Sequence, residues 1–334
     1  MKKRFLYIIL LIALILVCGS CVSEKQYSDT PEGNFEQLWK IMDQKYCFFD
    51  YKKIDWDSVH NVYSKYITSD MDDNALFEVL GNMLGTLKDG HVNLYSTGNT
   101  ARYWSWYENY PENFDENIKD RYLGTDYHMA GGIKYKILSD NIGYIYYGDF
   151  SESVSNGIIN DMLSYLAICN GIIIDVRNNG GGLMTNSSTL ASHFTDKKVL
   201  TSYVRHKTGT GHNDFSKPYA IYLDPSDGIR WQKKVIVLTN RHCFSATNDF
   251  VNNMHCLPSV TILGDKTGGG GGMPFTSELP NGWAVRYSAS PYYDKDMNQI
   301  EFGIDPDIYV SLSTEDVSQG KDTLIETARN LLNK

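Results

Sequence analysis

Gly171-Ile172-Ile173-Ile174-Asp175-Val176-Arg177-Asn178-Asn179-Gly180-Gly181-Gly182 opens as a near-continuous apolar run and ends in a polar, glycine-rich turn. A strand with one wet face alternates apolar and polar residues. A run without alternation is expected of a strand covered on both faces, as in a parallel sheet flanked by helices. Residues 235–239 and 259–263 have the same character, and residues 158–168 and 245–256 carry helical spacing. Strands alternating with helices predict an α/β core with parallel pairing across residues 134–334. A Tyr/Ile-rich strand is expected within 141–150. Another is expected at 283–288, in a hairpin with the segment around Ile300, and a helix bearing Leu324, Ile325, Ala328, Leu331 and Leu332 closes the chain.

Upstream of this core, Phe35, Leu38, Trp39, Met42 and Tyr46 recur at helical intervals, as do Phe77, Leu80, Leu84 and Leu87. They predict a small helical N-terminal domain over residues 34–95. Residues 96–133 read as an insertion rich in aromatics: Tyr103, Trp104, Trp106, Tyr107 and Tyr110 stand among polar residues with little periodicity. Such a segment is either packed by its own rings or forms a lip facing a ligand. Before residue 34 the chain has a basic start, Met1-Lys2-Lys3-Arg4, and an apolar run over 5–17 too short for a comfortable membrane span. With Cys18-Gly19-Ser20-Cys21 this resembles a bacterial lipoprotein signal, which implies a leader over 1–20, lipidation of Cys21 and a polar tether over 21–33. A plain secretory signal or an uncleaved anchor would share the same basic and apolar parts.

The chain has 334 residues, 31 Lys and Arg against 40 Asp and Glu, and a net charge of −9 without a long basic block. Nucleic acid is therefore not expected as a partner. Cys47, Cys169, Cys243 and Cys256 have no recognisable disulfide spacing. The adjacent pairs His242-Cys243 and His255-Cys256 are poorly placed to aim at one ion, so no metal is expected. The five glycines at 268–272, read alone, suit a flexible loop. They lack the G-K-[ST] ending of a phosphate loop, and no cofactor is expected.

Asn240-Arg241-His242-Cys243-Phe244-Ser245-Ala246-Thr247-Asn248-Asp249-Phe250 sets a serine where a strand ends and a helix begins. Taken alone, a serine there is an N-cap. The same junction also exposes a side chain, aims free N–H groups at it and favours negative charge, which are the needs of a nucleophile attacking a carbonyl.

Five segments fall in a telling order: Lys88-Asp89-Gly90-His91; Ile174 through Gly182; the Ser245 segment; Gly264-Asp265-Lys266-Thr267-Gly268-Gly269; and Ile300-Glu301-Phe302-Gly303-Ile304-Asp305-Pro306-Asp307. Together they resemble the C-terminal-processing (tail-specific) serine peptidases, the family that includes the core of tricorn protease, over roughly residues 34–310. The resemblance implies an α/β fold, a crotonase/Clp-protease-like catalytic core, and hydrolysis of protein or peptide substrates. One branch of that family pairs its serine with a downstream lysine; here that position is Gly270, and Lys266 matches an earlier lysine of the turn. The other branch uses a histidine and a glutamate, which map onto His91 and Glu301. On that reading His91 takes the Ser245 proton, and Glu301 fixes and stabilises the imidazole. Gly90 stands where that branch often has a serine. Ala246 N–H and Gly181 N–H are the expected oxyanion donors, while Asp175 and Arg177 organise the loop. The interval between His91 and Ile142 is too short for the PDZ module of many relatives. An esterase on the same serine, or a ligand-binding protein on the same scaffold, are the competing expectations.

Overall fold

The computed structural model describes residues 27–334, so the expected leader and Cys21 lie outside the described residues. The chain opens with α1 (Pro31–Lys45), α2 (Phe49–Lys52), α3 (Trp56–Tyr63) and α4 (Asp73–Gly85). Sequence chemistry sets their starts. Thr30 Oγ1 accepts from Gly33 N–H with Pro31 in the first turn, and the Asp72 side chain accepts from Ala75 N–H. The apolar stripes of α1 and α4 are buried, as their spacing predicted.

These helices do not close a core of their own. They pack on the inner face of a six-stranded sheet that begins with β1 (Asn93–Ser96) and β2 (Asn99–Arg102), so Phe35, Leu38, Leu80 and Leu84 share one cluster with Leu94, Val285 and Tyr287. After β2 come the aromatic segment, α5 (Glu116–Leu123), β3 (His128–Ala130), β4 (Ile133–Ile137), β5 (Gly143–Tyr146), α6 (Asn156–Leu166), β6 (Ile172–Asp175) and α7 (Met184–Ser192). Then follow β7 (Val199–Val204), β8 (Tyr219–Leu223), β9 (Val235–Thr239), α8 (Ala246–His255), β10 (Val260–Gly264), β11 (Gly272–Glu278), β12 (Ala284–Asp294), β13 (Ile308–Tyr309), α9 (Thr314–Ser318) and α10 (Thr323–Leu332).

The second sheet has seven strands in the order β13-β10-β9-β6-β5-β4-β3. Its centre is parallel, with β6 paired to β9 and β5, and β9 to β10. The uninterrupted apolar run at 172–174 now has its cause. Ile172 and Ile174 pack under α6, α7 and α8, while Ile173 packs on the other face against α10. Period-2 alternation survives in the strand, but both faces are dry and both need apolar side chains.

One pairing differs from expectation. The strand predicted at 283–288 runs on to Asp294, and its principal partners are β11, β1 and β7. Near Ile300 it keeps a single antiparallel bridge, Tyr293 to Gln299. The sequence hid β11 because its glycine start and Pro274 argue against a strand; Pro274 sits at a register shift, where a missing N–H is tolerated. The glycine run leading into it is also no free loop: Gly268–Gly271 are packed against Trp106, Phe244 and the Ile300–Glu301 backbone. Among the described residues no helix is long and apolar enough to cross a membrane.

At the carboxyl end of β6 the Arg177 guanidinium is fully buried and paired with Asp175 (2.6 Å) and Asp322 (2.9 Å), the latter at the start of α10. Tyr144 O–H also donates to Asp175 Oδ2 (2.9 Å). Replacing Arg177 by Met strands two buried carboxylates, and we expect a loss of about 3–5 kcal/mol in unfolding free energy. Urea denaturation checks this; a loss below about 1 kcal/mol would show that the network is not what ties α10 to the sheet.

Candidate active site

The loops that follow β6 and β9 leave the same edge of the parallel sheet, where such folds place their sites. Reciprocal bonds hold them together: Asn178 N–H donates to Asn240 Oδ1 (3.0 Å), and Asn240 Nδ2 donates to Asn178 Oδ1 (2.6 Å). Phe244 N–H donates to the Asn179 carbonyl (3.1 Å), and Ser245 N–H to the Gly269 carbonyl (2.9 Å). Ser245 is thereby pinned at φ 59°, ψ −120°, a left-handed conformation unusual for a residue with a side chain. It occupies the N-cap position of α8, yet its hydroxyl caps nothing. Instead Ser245 Oγ lies 2.9 Å from His91 Nε2.

His91 comes from the turn before β1, in the other sheet, so two sheets meet at this hydrogen bond. The imidazole is buried beside the Phe244 ring, at a centroid separation of 4.8 Å. Burial pushes its pKa down to about 4; Asp89 opposes this, while Arg286 and Lys52 add to it. The Gly272 backbone faces the ring and favours its protonation, yet among the described residues no acceptor meets hydrogen-bond geometry at the buried Nδ1.

Glu301 is buried nearby but makes no hydrogen bond with His91. Its carboxylate pairs with Lys52 Nζ (2.7 Å) and accepts from Gly271 N–H (2.9 Å). Lys52 also reaches Asp89 Oδ2 (3.3 Å), and its side chain is only 4% exposed. Asp89 in turn accepts from His91 backbone N–H (2.8 Å), Tyr46 O–H (2.9 Å) and Ser288 O–H (3.0 Å). One buried cation therefore serves two buried carboxylates. Burial alone would favour the neutral form of Asp89, but Lys52 and His91 hold its carboxyl below the usual range. Burial, and then Asp89, push Glu301 up despite Lys52. Burial disfavours the Lys52 charge too, and the two carboxylates more than restore it. Sequence reasoning missed Lys52, since a lysine on a four-residue helix far along the chain has no motif to mark it.

Of the expected oxyanion donors, Ala246 N–H has no acceptor among the described residues, whereas Gly181 N–H donates to Asn179 Oδ1 (2.9 Å). The two glycines that break the family patterns have steric causes. A Cβ on Gly90 would stand 2.8 Å from both Phe244 and Trp106, so the neighbouring serine of the histidine branch does not fit. A Cβ on Gly270 would meet the Phe244 ring at 2.6 Å, which leaves no room for a lysine there.

Ser245 lies between two cavities. One, of about 240 Å³, is lined by Leu183, Met184, Met273, Tyr292 and Ile300, with Asp249 in its wall. Burial pushes the Asp249 carboxyl up to about 6, although Ser187 and Asn253 donate to it. The other, of about 430 Å³, is walled by Tyr103, Trp104 and Trp106 of the aromatic segment and by the 180–182 glycines. Trp106 stacks on Phe244 at 4.4 Å and 24°. The rings of that segment also pack on one another, Tyr107 against Trp104 and Trp106, so features of both readings are present. A wider groove of about 700 Å³ between α4 and β2 holds none of these residues.

This geometry can be compared with known proteins. Residues 27–85 match the tricorn protease C1 domain, and residues 141–310, just over half of the chain, match peptidase family S41. A crystal structure of a candidate peptidase from Parabacteroides merdae superposes with a TM-score of 0.88 at 53% identity, covering 91% of this chain and 97% of that one. The carboxy-terminal-processing protease of Bartonella bacilliformis is 27% identical over 58% of this chain and 44% of its own length. The carboxy-terminal processing protease of Bacillus subtilis is 26% identical over 52% of this chain and 36% of its own. The chain thus spans less than half the length of these curated relatives. The S41 match runs from the entry to β5 through β6, β9, Ser245 and Glu301, which is the whole sheet edge that carries the serine, and on that ground the chain belongs to peptidase family S41.

Proposed function

We propose that this protein is a serine peptidase of the bacterial envelope that cleaves peptide bonds through an acyl-enzyme on Ser245. The observation that carries the reading is the 2.9 Å approach of His91 Nε2 to a serine hydroxyl held at a strained helix start. His91, neutral at pH 7, accepts the Ser245 proton as the oxygen attacks the carbonyl, then returns it to the leaving amine. Ala246 N–H receives the developing oxyanion, helped by the α8 dipole. Gly181 joins it once substrate draws its N–H from Asn179. Glu301 acts on His91 at one remove: through Lys52 it steadies Asp89, which grips the His91 main chain. The basic and apolar leader supports an anchor at Cys21 on the envelope, with the catalytic part outside the cytoplasm.

Three outcomes follow from these roles. A fluorophosphonate probe should label the folded protein at Ser245, and Ser245→Ala should abolish labelling and lower peptide turnover by at least about 10⁴-fold. A folded protein that takes no label, or that turns over esters and never peptides, would sink the peptidase reading. Because burial lowers the His91 pKa, the base is neutral above about 4 and is lost as pH falls through that value. The acid limb of kcat/KM should therefore lie near pH 4; a limb at the ordinary histidine value near 6.5 would contradict the buried site. Finally, Trp104 is 45% exposed on the lip. Trp104→Ala should raise KM several-fold with kcat nearly unchanged, and unchanged KM would remove the lip from substrate binding.

A further inference from the structure

Resting on the peptidase reading, we propose that Asp249 selects the substrate side chain beside the cleaved bond. The smaller cavity at Ser245 then takes a side chain with an apolar stem and a cationic tip, a lysine or an arginine.

The argument begins with spacing on α8. Asp249 N–H donates to the Ser245 carbonyl (3.0 Å), so the carboxylate stands one helical turn after the nucleophile and on the same face of the helix. Four residues advance a helix by about 6 Å. Both groups line the cavity of about 240 Å³, so a side chain that enters it beside the serine meets Asp249 further in.

The carboxylate is only half engaged. Its Oδ2 accepts from Ser187 Oγ of α7 (2.6 Å) and from Asn253 Nδ2 of α8 (3.1 Å), a bridge between the two helices. Among the described residues Oδ1 has no donor, and it is not sealed away from the cavity. A helix bridge needs one acceptor, which the oxygen of an asparagine would supply equally well. The charge and the second oxygen are surplus to it.

Other polar groups of the cavity are mostly committed. Asn248 Nδ2 donates to the Ile300 carbonyl (3.1 Å), and its Oδ1 accepts from Thr267 O–H (2.6 Å). His91 and Ser245 are bound to each other. The Tyr292 hydroxyl makes no hydrogen bond among the described residues; burial and then Asp249 push it up to about 12, so it stays neutral and its oxygen can accept. Arg286 is the other charged side chain on this cavity. It acts at the His91 end, where it opposes protonation of the imidazole. Asp249 acts at the Tyr292 end, and its own carboxyl is set by burial, then by Ser187 and Asn253. Raised to about 6, it is charged at neutral pH and is paired with no cation among the described residues.

A substrate side chain that fills the cavity removes the water from this charge. An apolar tip leaves Oδ1 dry and unpaired, whereas an ammonium or guanidinium pairs with it and can share the Tyr292 oxygen. Leu183, Met184, Met273 and Ile300 line the approach and suit the methylene stem of lysine or arginine.

The test uses the full-length protein and peptides matched at the two residues that flank the cleaved bond. At each position lysine is compared with norleucine, which keeps the stem and lacks the charge. The wild type should prefer lysine at one of the two positions by about 10-fold or more in kcat/KM. Asp249→Asn keeps an acceptor for Ser187 and should bring that ratio close to one. A wild-type protein labelled at Ser245 that cleaves lysine and norleucine peptides alike at both positions overturns the proposal, and so does a lysine preference that survives in a folded Asp249→Asn. Should that variant not fold, inhibition of the wild type decides. There n-butylammonium should compete with the norleucine peptide, with n-butanol at least about 10-fold weaker, and equal inhibition by the two overturns the proposal. Failure of the wild type to take the fluorophosphonate label overturns instead the peptidase reading.

Discussion

The candidate active site depends on the two parallel strands β6 and β9 lying side by side. Their carboxyl ends release two loops at one edge, and the reciprocal amide bonds between Asn178 and Asn240 keep those loops in register. The buried Arg177, gripped by Asp175 and Asp322, closes the same corner from below. Because Asp175, Arg177, Asn240 and Asp322 are buried and paired, the corner has no inexpensive alternative arrangement. That rigidity is what allows Ser245 to be held at a positive φ which a freer chain would relax.

A second, smaller electrostatic unit ties the N-terminal helices to the candidate site. Lys52 from α2 sits between Asp89, two residues before His91, and Glu301, in the turn between β12 and β13. One cation shared by two buried carboxylates lets Asp89 hold the negative charge while Glu301 leans toward its neutral form. The helices therefore do more than cover the second sheet. They supply the cation that faces Asp89 and Glu301, and Asp89 accepts from the His91 main-chain N–H.

The cleft has a matching division of labour. The aromatic lip and the glycine-rich turns wall one side of Ser245, and methionine, leucine and isoleucine side chains wall the other. Trp106 and Phe244 stack so closely that a Cβ at 90 would meet both rings and a Cβ at 270 would meet Phe244. Aromatic rings fill the space beside both glycines. Asp249 and Arg286 both line the smaller cavity.

Much of this was legible in the chain itself. Local rules carry that part: the unbroken apolar run at 172–174 demands a strand dry on both faces, caps such as Thr30 and Asp72 start helices by chemistry within three residues, and the serine at 245 sits at a visible strand-to-helix junction. The ordered motifs likewise pointed to His91 and Ser245 as a pair, and the structure brings them to 2.9 Å. What the sequence could not show are contacts between residues far apart in the chain. The Lys52 bridge, the commitment of Gly181 N–H to Asn179, the pairing of β12 with β11 and β1, and the half-engaged carboxylate of Asp249 all depend on which surfaces meet. Hydrogen bonding and periodicity act over a few residues and leave a local signature. Charge pairing and desolvation depend on distance in space, and only the folded chain sets that distance.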